Sequence, residues 1–268
     1  MANRVRLGML TPSSNTVVEP MTTAMLAGVP DVTAHFSRFK VTEIDISDRS
    51  DRQFDDNEIL NAADLLTHAK VDVIAWNGTS ASWLGFERDE QLCNRITQAT
   101  GIPACTSILA FREIFERTGA SRIGLVTPYV DAVQERIIRN WGAAGVACPA
   151  ERHSGLQDNF SFAEVTERDI AEMVRAVGGA DIDAIAIVCT NMRGAPLAQK
   201  LQAELGVPVY DSIATTLWKS LVLADVPPAL VRNWGAPFSE ALLAAGLPGI
   251  VAPPISTAQF QGASPAGE

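Results

Sequence analysis

The sequence predicts an α/β protein made of two Rossmann-like halves, each a mostly parallel sheet flanked by helices. Residues 71–76 and 182–188 are almost entirely apolar, and each run is about the length of a strand. Such runs are typical of parallel strands that are covered on both faces. In addition, three blocks of the first half recur in the same order in the second. An ordered repeat of this kind predicts halves related by a pseudo-two-fold axis, with a cleft between them.

The repeated blocks lie at equivalent places in the two halves. Each contains a strand or the turn that precedes one. The first and third pairs end in the same residue types, whereas in the second pair GTS stands opposite CTN. The matching pairs are 6–12 with 122–128, 71–80 with 182–191, and 101–103 with 206–208. Each half is therefore expected to run strand, helix, strand, helix, strand, helix and short strand.

The first strand ends at Pro12, and three good helix-capping residues, Ser13, Ser14 and Asn15, follow it. Apolar residues at helical spacing predict the helices. The predicted helices are 16–26, 57–70, 87–100, 108–117, 130–141, 162–177, 197–205, 213–223 and 234–245. By symmetry, each helix that links or follows a half is expected to pack across onto the other half.

The repeat also sets the expected domain organisation. The predicted units are an N-terminal half (1–112), a C-terminal half (113–211), a helix packing back onto the first half (212–224), a terminal helix region (225–250) and a poorly ordered tail (251–268). Residues 42–57 are polar and acidic, which predicts a mobile loop or lid. Residues 149–162 occupy the corresponding place in the second half.

Composition excludes several classes of partner and cofactor. The chain of 268 residues has a net charge of −10 and a pI near 4.8, which disfavours nucleic acid and anionic lipid. No apolar run approaches the roughly 20 residues that cross a bilayer, and the N-terminus lacks a signal-peptide core, so a cytoplasmic protein is expected. The four cysteines show no CxxC spacing and the three histidines no metal motif, which predicts neither a disulfide framework nor a metal site.

Chemistry in an open α/β sheet collects at the carboxyl ends of its strands. The repeat sets Gly78 opposite Cys189, both at such ends. Two thiols there would remove a proton from one face of a carbon and return it on the other. Since only one position carries a thiol, the sequence predicts one-sided protonation and argues against racemisation. It also predicts that Gly78→Cys would supply the missing group on an empty face.

Several motifs together resemble one family. Residues 11–16 (TPSSNT) are similar to the N-terminal motif of the maleate cis-trans isomerases, and residues 188–191 (VCTN) to their second cysteine motif. Residues 78–80 (GTS) resemble instead the arylmalonate decarboxylases, where this triplet replaces the first, nucleophilic cysteine of the isomerases. Residues 127–136 are similar in both. The resemblance spans roughly residues 5–240 and points to this branch of the aspartate/glutamate racemase superfamily.

The resemblance implies a cofactor-free site for a small carboxylate or dicarboxylate. It implies that Cys189 gives a proton to a planar enediolate, and that Thr79, Ser80 and Tyr129 donate hydrogen bonds to that intermediate. Backbone N–H groups near Gly78 and Cys189 would assist them. The residues expected to bind substrate are Pro12, Asn15, Arg38, Gly78, Thr190 and Asn191. The resemblance is also compatible with a homo-oligomer.

Some of these residues have a simpler interpretation. A lone buried cysteine such as Cys189 is usually a small apolar side chain. Asn15 either caps its helix or binds a substrate carboxylate at the helix N-terminus. Arg38 either grips a carboxylate in a bidentate way or is a solvated charge at a strand edge. His153 is expected to face solvent, and the alternative is that it contacts the lid.

Three functions follow from these observations. The first is a cofactor-independent decarboxylase of a substituted malonate, which rests on Gly78 opposite Cys189. The second is a dicarboxylate isomerase of the maleate isomerase type, which rests on the isomerase-like motifs and on Arg38. The third is a non-catalytic protein that binds a carboxylate.

Overall fold

The computed structural model describes residues 4–41, 56–239 and 242, which form two four-stranded parallel sheets flanked by helices. The strands are β1 (Val5–Pro12), β2 (Val32–Phe39), β3 (Val73–Trp76), β4 (Ala104–Thr106), β5 (Arg122–Thr127), β6 (Ala147–His153), β7 (Ala184–Ile187) and β8 (Val209–Asp211). The helices are α1 (Val18–Leu26), α2 (Asp56–Thr67), α3 (Ala81–Leu84), α4 (Phe86–Thr100), α5 (Ser107–Thr118), α6 (Asp131–Ala143), α7 (Glu167–Gly178), α8 (Ala195–Leu205) and α9 (Ser212–Leu223).

The two sheets have the same strand order. The first runs β2-β1-β3-β4 and the second β6-β5-β7-β8, with all pairs parallel. In the second sheet Val126 of β5 pairs with Ile187 of β7, so these two strands end at the same edge. The predicted α/β class is confirmed.

Apolar burial explains why the central strands form. Every residue of β3 and β7 is at most 1% exposed, as expected for strands with helices on both faces. Burying one Val, Leu or Ile side chain contributes about 1.5–3 kcal/mol. A second apolar group lies between α5 and α6, where the Trp141 ring centroid is 5.9 Å from that of Phe111 and 5.7 Å from that of Phe115.

Helix α9 connects the two sheets. It follows β8, yet it packs against α5 and against strands β3 and β4 of the first sheet. The hydroxyls of Ser107 and Thr216, at the facing surfaces of α5 and α9, lie 2.7 Å apart. Both helices are capped from the preceding strand, α5 by the Thr106 hydroxyl and α9 by the Asp211 carboxylate.

The helix predictions need two corrections. Over 234–239 of the predicted helix 234–245, the 3₁₀ turn Ala236–Phe238 forms in place of an α-helix, because Gly235 has φ 91° and Pro237 lacks an N–H. Leu242, the other described residue of this prediction, is helical. The helix predicted over 162–177 begins at Glu167, after a 3₁₀ turn at Phe160–Glu164. Thr166 starts this helix by accepting a hydrogen bond from the Asp169 backbone N–H.

Two predicted segments fall largely outside the described residues. These are the lid at 42–57, of which only the last two residues are described as the start of α2, and the tail at 251–268. Across the described part of the chain, no helix has both the length and the apolar character that crossing a bilayer requires.

The sequence suggested that His153 faces solvent, but in the structure its ring is partly buried and paired. It is half-buried at the end of β6, with its ring nitrogens 2.8 Å from carboxylate oxygens of Asp131 and Glu151. Burial lowers the pKa of His153, but the two carboxylates outweigh burial and raise this pKa above its ordinary value. In its protonated form the imidazole therefore joins the start of α6 to β6 by two ion pairs.

A pH-dependent contribution to stability follows for His153. Since the folded pKa exceeds the unfolded value of about 6.5, the contribution is complete below that pH and is lost as pH rises through the folded pKa. We expect His153→Gln to lower the free energy of unfolding at pH 6 and to have little effect at pH 9. Urea unfolding of both proteins at the two pH values measures this. An equal loss at both would show that the charge on the imidazole does not contribute.

Candidate active site

The carboxyl ends of β1, β3 and β7 and the loop after β5 surround one cavity. Most of the predicted site residues line it, together with side chains that the sequence did not single out. The lining residues are Pro12, Val41, Trp76, Gly78, Thr79, Ser80, Trp83, Tyr129, Asn159, Cys189 and Thr190. The structure therefore brings the two repeated strand ends into contact with the same space.

Cys189 is 2% exposed and follows β7 directly. Burial, with a smaller contribution from the nearby Asp211 carboxylate, raises the pKa of its thiol to about 12. Hydrogen bonds from the Asn191 backbone N–H, 3.3 Å from the sulfur, and from the Tyr129 hydroxyl act in the opposite direction. The thiol is therefore protonated at neutral pH, which suits a proton donor and not a nucleophile.

Tyr129 connects the two strand ends. Its hydroxyl lies 2.6 Å from the hydroxyl of Thr79 and also contacts Cys189. Trp83 and Phe162 hold the ring in place, with centroids 5.2 and 5.3 Å away in edge-on arrangements. Burial, followed by the nearby Cys189, raises the pKa of Tyr129 well above its ordinary value, so the phenol keeps its proton.

The cavity also contains donors without partners. Within the described chain, no hydrogen bond engages the Ser80 hydroxyl or the backbone N–H groups of residues 78–80 and 189–190, although all five residues are buried. Buried backbone N–H groups are nearly always paired in folded proteins. Unpaired donors at both strand ends of one cavity are the arrangement expected for binding the oxygens of an anionic ligand.

Asn15 and Asn191 lie beside the cavity and fix its loops. The Asn15 side-chain oxygen accepts from the backbone N–H groups of Val17 and Val18, both at 2.9 Å, so Asn15 does cap α1. Its amide group also donates to Thr190, at 3.3 Å. Asn191 accepts from the backbone N–H of Thr16 and donates to the Asn159 carbonyl. These bonds hold the β1–α1 loop against the Cys189 loop.

Arg38 is not brought to the cavity. Its guanidinium donates to Glu19 at 2.9 Å and to the backbone carbonyls of Ser13 and Asn15 at 3.0 and 2.8 Å. It therefore fastens β2 to the β1–α1 loop. As an exposed residue of the edge strand β2, it fits the solvated strand-edge charge and not the bidentate carboxylate ligand. No charged side chain occurs among the described residues that line the cavity. A carboxylate bound there would be held by neutral donors.

Sequence reasoning missed several residues of this site. Asn159 lines the cavity and donates to the Ser14 hydroxyl at 2.7 Å. Its signal was its place in 149–162, the counterpart of the predicted lid. Asp211 is fully buried, which raises the pKa of its carboxyl to about 7, and it lies in register with Ile187 two residues before Cys189. Its signal was its position directly before Ser212, which matches Ser107 at the same offset as the repeated blocks 101–103 and 206–208.

The expectation of an empty face at Gly78 is wrong. A Cβ atom built on Gly78 would lie 1.9 Å from Cζ2 of Trp76, far inside van der Waals contact. The Trp76 indole thus fills the space that a side chain at position 78 would need. Trp76 in turn packs on Phe39, with ring centroids 5.0 Å apart.

Comparison with known proteins gives two kinds of relative. The chain is 28% identical to a maleate isomerase of Pseudomonas putida over 90% of this chain and all of that protein. It is 27% identical to an arylmalonate decarboxylase of Bordetella bronchiseptica over 63% of this chain and 71% of that protein. Most of the similar curated proteins are maleate isomerases.

Solved structures and a family model agree with these relatives. The crystal structure of the maleate isomerase Iso from Pseudomonas putida S16 superposes with a TM-score of 0.82 at 24% identity, covering 89% of this chain and all of that one. The family model described as arylmalonate decarboxylase matches residues 7–232. The chain therefore belongs to the arylmalonate decarboxylase family, an enzyme family with both decarboxylase and maleate isomerase relatives.

Proposed function

We propose that this protein is a cofactor-independent decarboxylase of a small substituted malonate, with Cys189 as proton donor. The observation that carries the proposal is the pairing of a protonated thiol with unpartnered N–H groups at one cavity. These are a proton source and a site for developing negative charge. The second strand end offers Gly78, which supplies no acid, base or nucleophile.

The reaction follows from these groups. One carboxylate of the malonate accepts hydrogen bonds from the free N–H groups and the Ser80 hydroxyl. The other lies against apolar side chains and leaves as CO₂, and the electrons of its C–C bond pass into the first carboxylate to form an enediolate. Pre-placed donors stabilise that charge without reorganisation. Cys189 then protonates the α-carbon from one side, and its thiolate regains a proton from water.

The apolar part of the cavity supports the first step. Pro12, Val41 and Trp76 line it and offer no hydrogen bond from a charged group to a carboxylate. A carboxylate deprived of water there is higher in energy than in solution, whereas CO₂ is not. Arg38, which would stabilise a second carboxylate, binds Glu19 instead.

A maleate-type isomerase is the second candidate, because most similar curated proteins are maleate isomerases. The resemblance places the isomerase nucleophile at position 78, where this chain has glycine and the Trp76 indole. A non-catalytic binding protein is the third. Thiol reactivity does not distinguish a binding protein from an enzyme here, because a Cys189 thiol with a raised pKa would be alkylated slowly in either.

The test offers the protein three substrates in D₂O and follows them by NMR: 2-phenylmalonate, 2-methyl-2-phenylmalonate and maleate. We expect loss of CO₂ from a malonate, one deuterium at the α-carbon, and a single enantiomer from the methylated probe. Fumarate from maleate, with both malonates unchanged, would replace the proposal with the isomerase. Binding without turnover of any of the three would favour the non-catalytic protein.

A further inference from the structure

The side of the cavity that β3 supplies is formed by one indole ring. Trp76 is the last residue of β3, is 1% exposed, and lines the cavity that contains Cys189. Three atoms of its six-membered ring, Cζ2, Cε2 and Cη2, lie 1.9, 2.2 and 2.6 Å from the position of a Cβ on Gly78. Real Cβ atoms do not come so close to other atoms, so no side chain fits at position 78 while Trp76 keeps this orientation.

We propose that Trp76 is a specificity-determining residue that closes one face of the substrate to any proton donor or acceptor. Its role rests on the proposed function. Because the indole takes the side-chain space at position 78, neither a side chain nor water approaches the α-carbon from β3. Cys189 is then the sole route for the proton, and the product has one handedness. The flat apolar ring also forms a wall suited to a planar apolar substituent on the malonate.

The proposed role of Trp76 makes a different prediction from a site in which the absence of a thiol at position 78 is the only reason for one-sided protonation. If Gly78 alone kept the reaction one-sided, adding a thiol at position 78 would be sufficient for racemisation. With Trp76 in place, the new sulfur is excluded from the cavity or forces the indole to move. Racemisation therefore requires two changes, Gly78→Cys and removal of the indole. In that double variant, the thiolate at position 78 takes the α-proton of the product as the C–H electrons form the enediolate, and the Cys189 thiol returns a proton on the other face.

A first experiment tests the geometry without any substrate. Thermal unfolding is measured for wild type, Gly78→Cys, Trp76→Ala and the double variant. We expect Gly78→Cys to lower Tm by about 3–10 °C when the indole is present, because the new side chain overpacks the site. In the Trp76→Ala background, the same substitution is expected to leave Tm almost unchanged. If Trp76→Ala does not fold, Trp76→Leu replaces it in the same double-mutant cycle, because leucine fills more of the space of the indole than alanine does. The matched control is Gly78→Cys with Trp83→Ala, where the full cost is expected because Trp83 is the other tryptophan of the cavity.

A second experiment tests the consequence for stereochemistry. Each variant is given the 2-phenylpropionate product in D₂O, and α-deuterium exchange and enantiomeric excess are followed. We expect exchange in the double variant at least tenfold above that of Gly78→Cys, and a racemic product from it alone. Equal stability costs of Gly78→Cys with and without the indole, or racemisation by Gly78→Cys alone, would overturn the role of Trp76. Failure of the wild type on all three substrates would instead contradict the proposed function, and the stability cycle would still report on Trp76.

Discussion

Replacing Cys189 with alanine is expected to reduce decarboxylation by about 10²- to 10⁴-fold, the usual contribution of a positioned general acid. The thiol lies in the cavity with its proton retained, because burial raises its pKa to about 12. Removing it leaves the enediolate without a donor on the side of β7. Cys189→Ser keeps the size of the side chain but offers a much weaker acid, so an intermediate loss is expected. Turnover of 2-phenylmalonate, measured with Tm on the same samples, gives the comparison.

The matched control is Cys105→Ala. Cys105 is also buried, at 3% exposed, and burial raises the pKa of its thiol to about 11. It lies in β4 beside Ser220 of α9 and outside the cavity, so the variant is expected to keep wild-type turnover. If Cys189→Ala stayed within threefold of wild type while Tm was unchanged, the proton would have to come from another group.

The repeat in the sequence was enough to predict the architecture. Apolar runs at 71–76 and 182–188 predicted β3 and β7, and the common strand order of the two sheets agrees with the duplicated blocks. Helix ends depended on local backbone conformation instead. The first part of the last predicted helix did not form, because Gly235 and Pro237 outweigh the apolar spacing of residues 234–239, whereas Leu242 further along is helical.

The candidate site was predictable only where residues follow strand ends. That position brought Thr79, Tyr129 and Cys189 to one cavity. The prediction that Arg38 binds substrate was wrong. A long side chain can bind any partner that the fold brings near, and Arg38 binds Glu19. Trp76 could not be assigned either, since the direction of a side chain at a strand end depends on packing with a distant residue such as Phe39.

Replacing Tyr129 with phenylalanine is expected to lower kcat about 10²- to 10³-fold and to change KM little. The hydroxyl lies 2.6 Å from that of Thr79 and contacts Cys189. We propose that, with substrate bound, it turns its proton to the enediolate and is one of the stabilising donors. Removing one such donor costs about 3–4 kcal/mol in the transition state. The ring contacts with Trp83 and Phe162 remain, so Tm should fall only slightly. Steady-state kinetics on 2-phenylmalonate separates kcat from KM.

Thr79→Val removes the other hydroxyl of the pair with little change in volume, and it extends the test. If the two hydroxyls act as one unit, the double variant loses less activity than the product of the single losses. The control is Tyr210→Phe, because Tyr210 is the second of only two tyrosines, is 2% exposed, and packs on Phe115 away from the cavity. We expect the Tyr210→Phe variant to have the kcat of the wild type. A Tyr129→Phe variant with normal kcat but raised KM would show that the hydroxyl binds substrate equally in the ground and transition states, and stabilisation of the enediolate would then fall to the backbone N–H groups of residues 78–80 and 189–190.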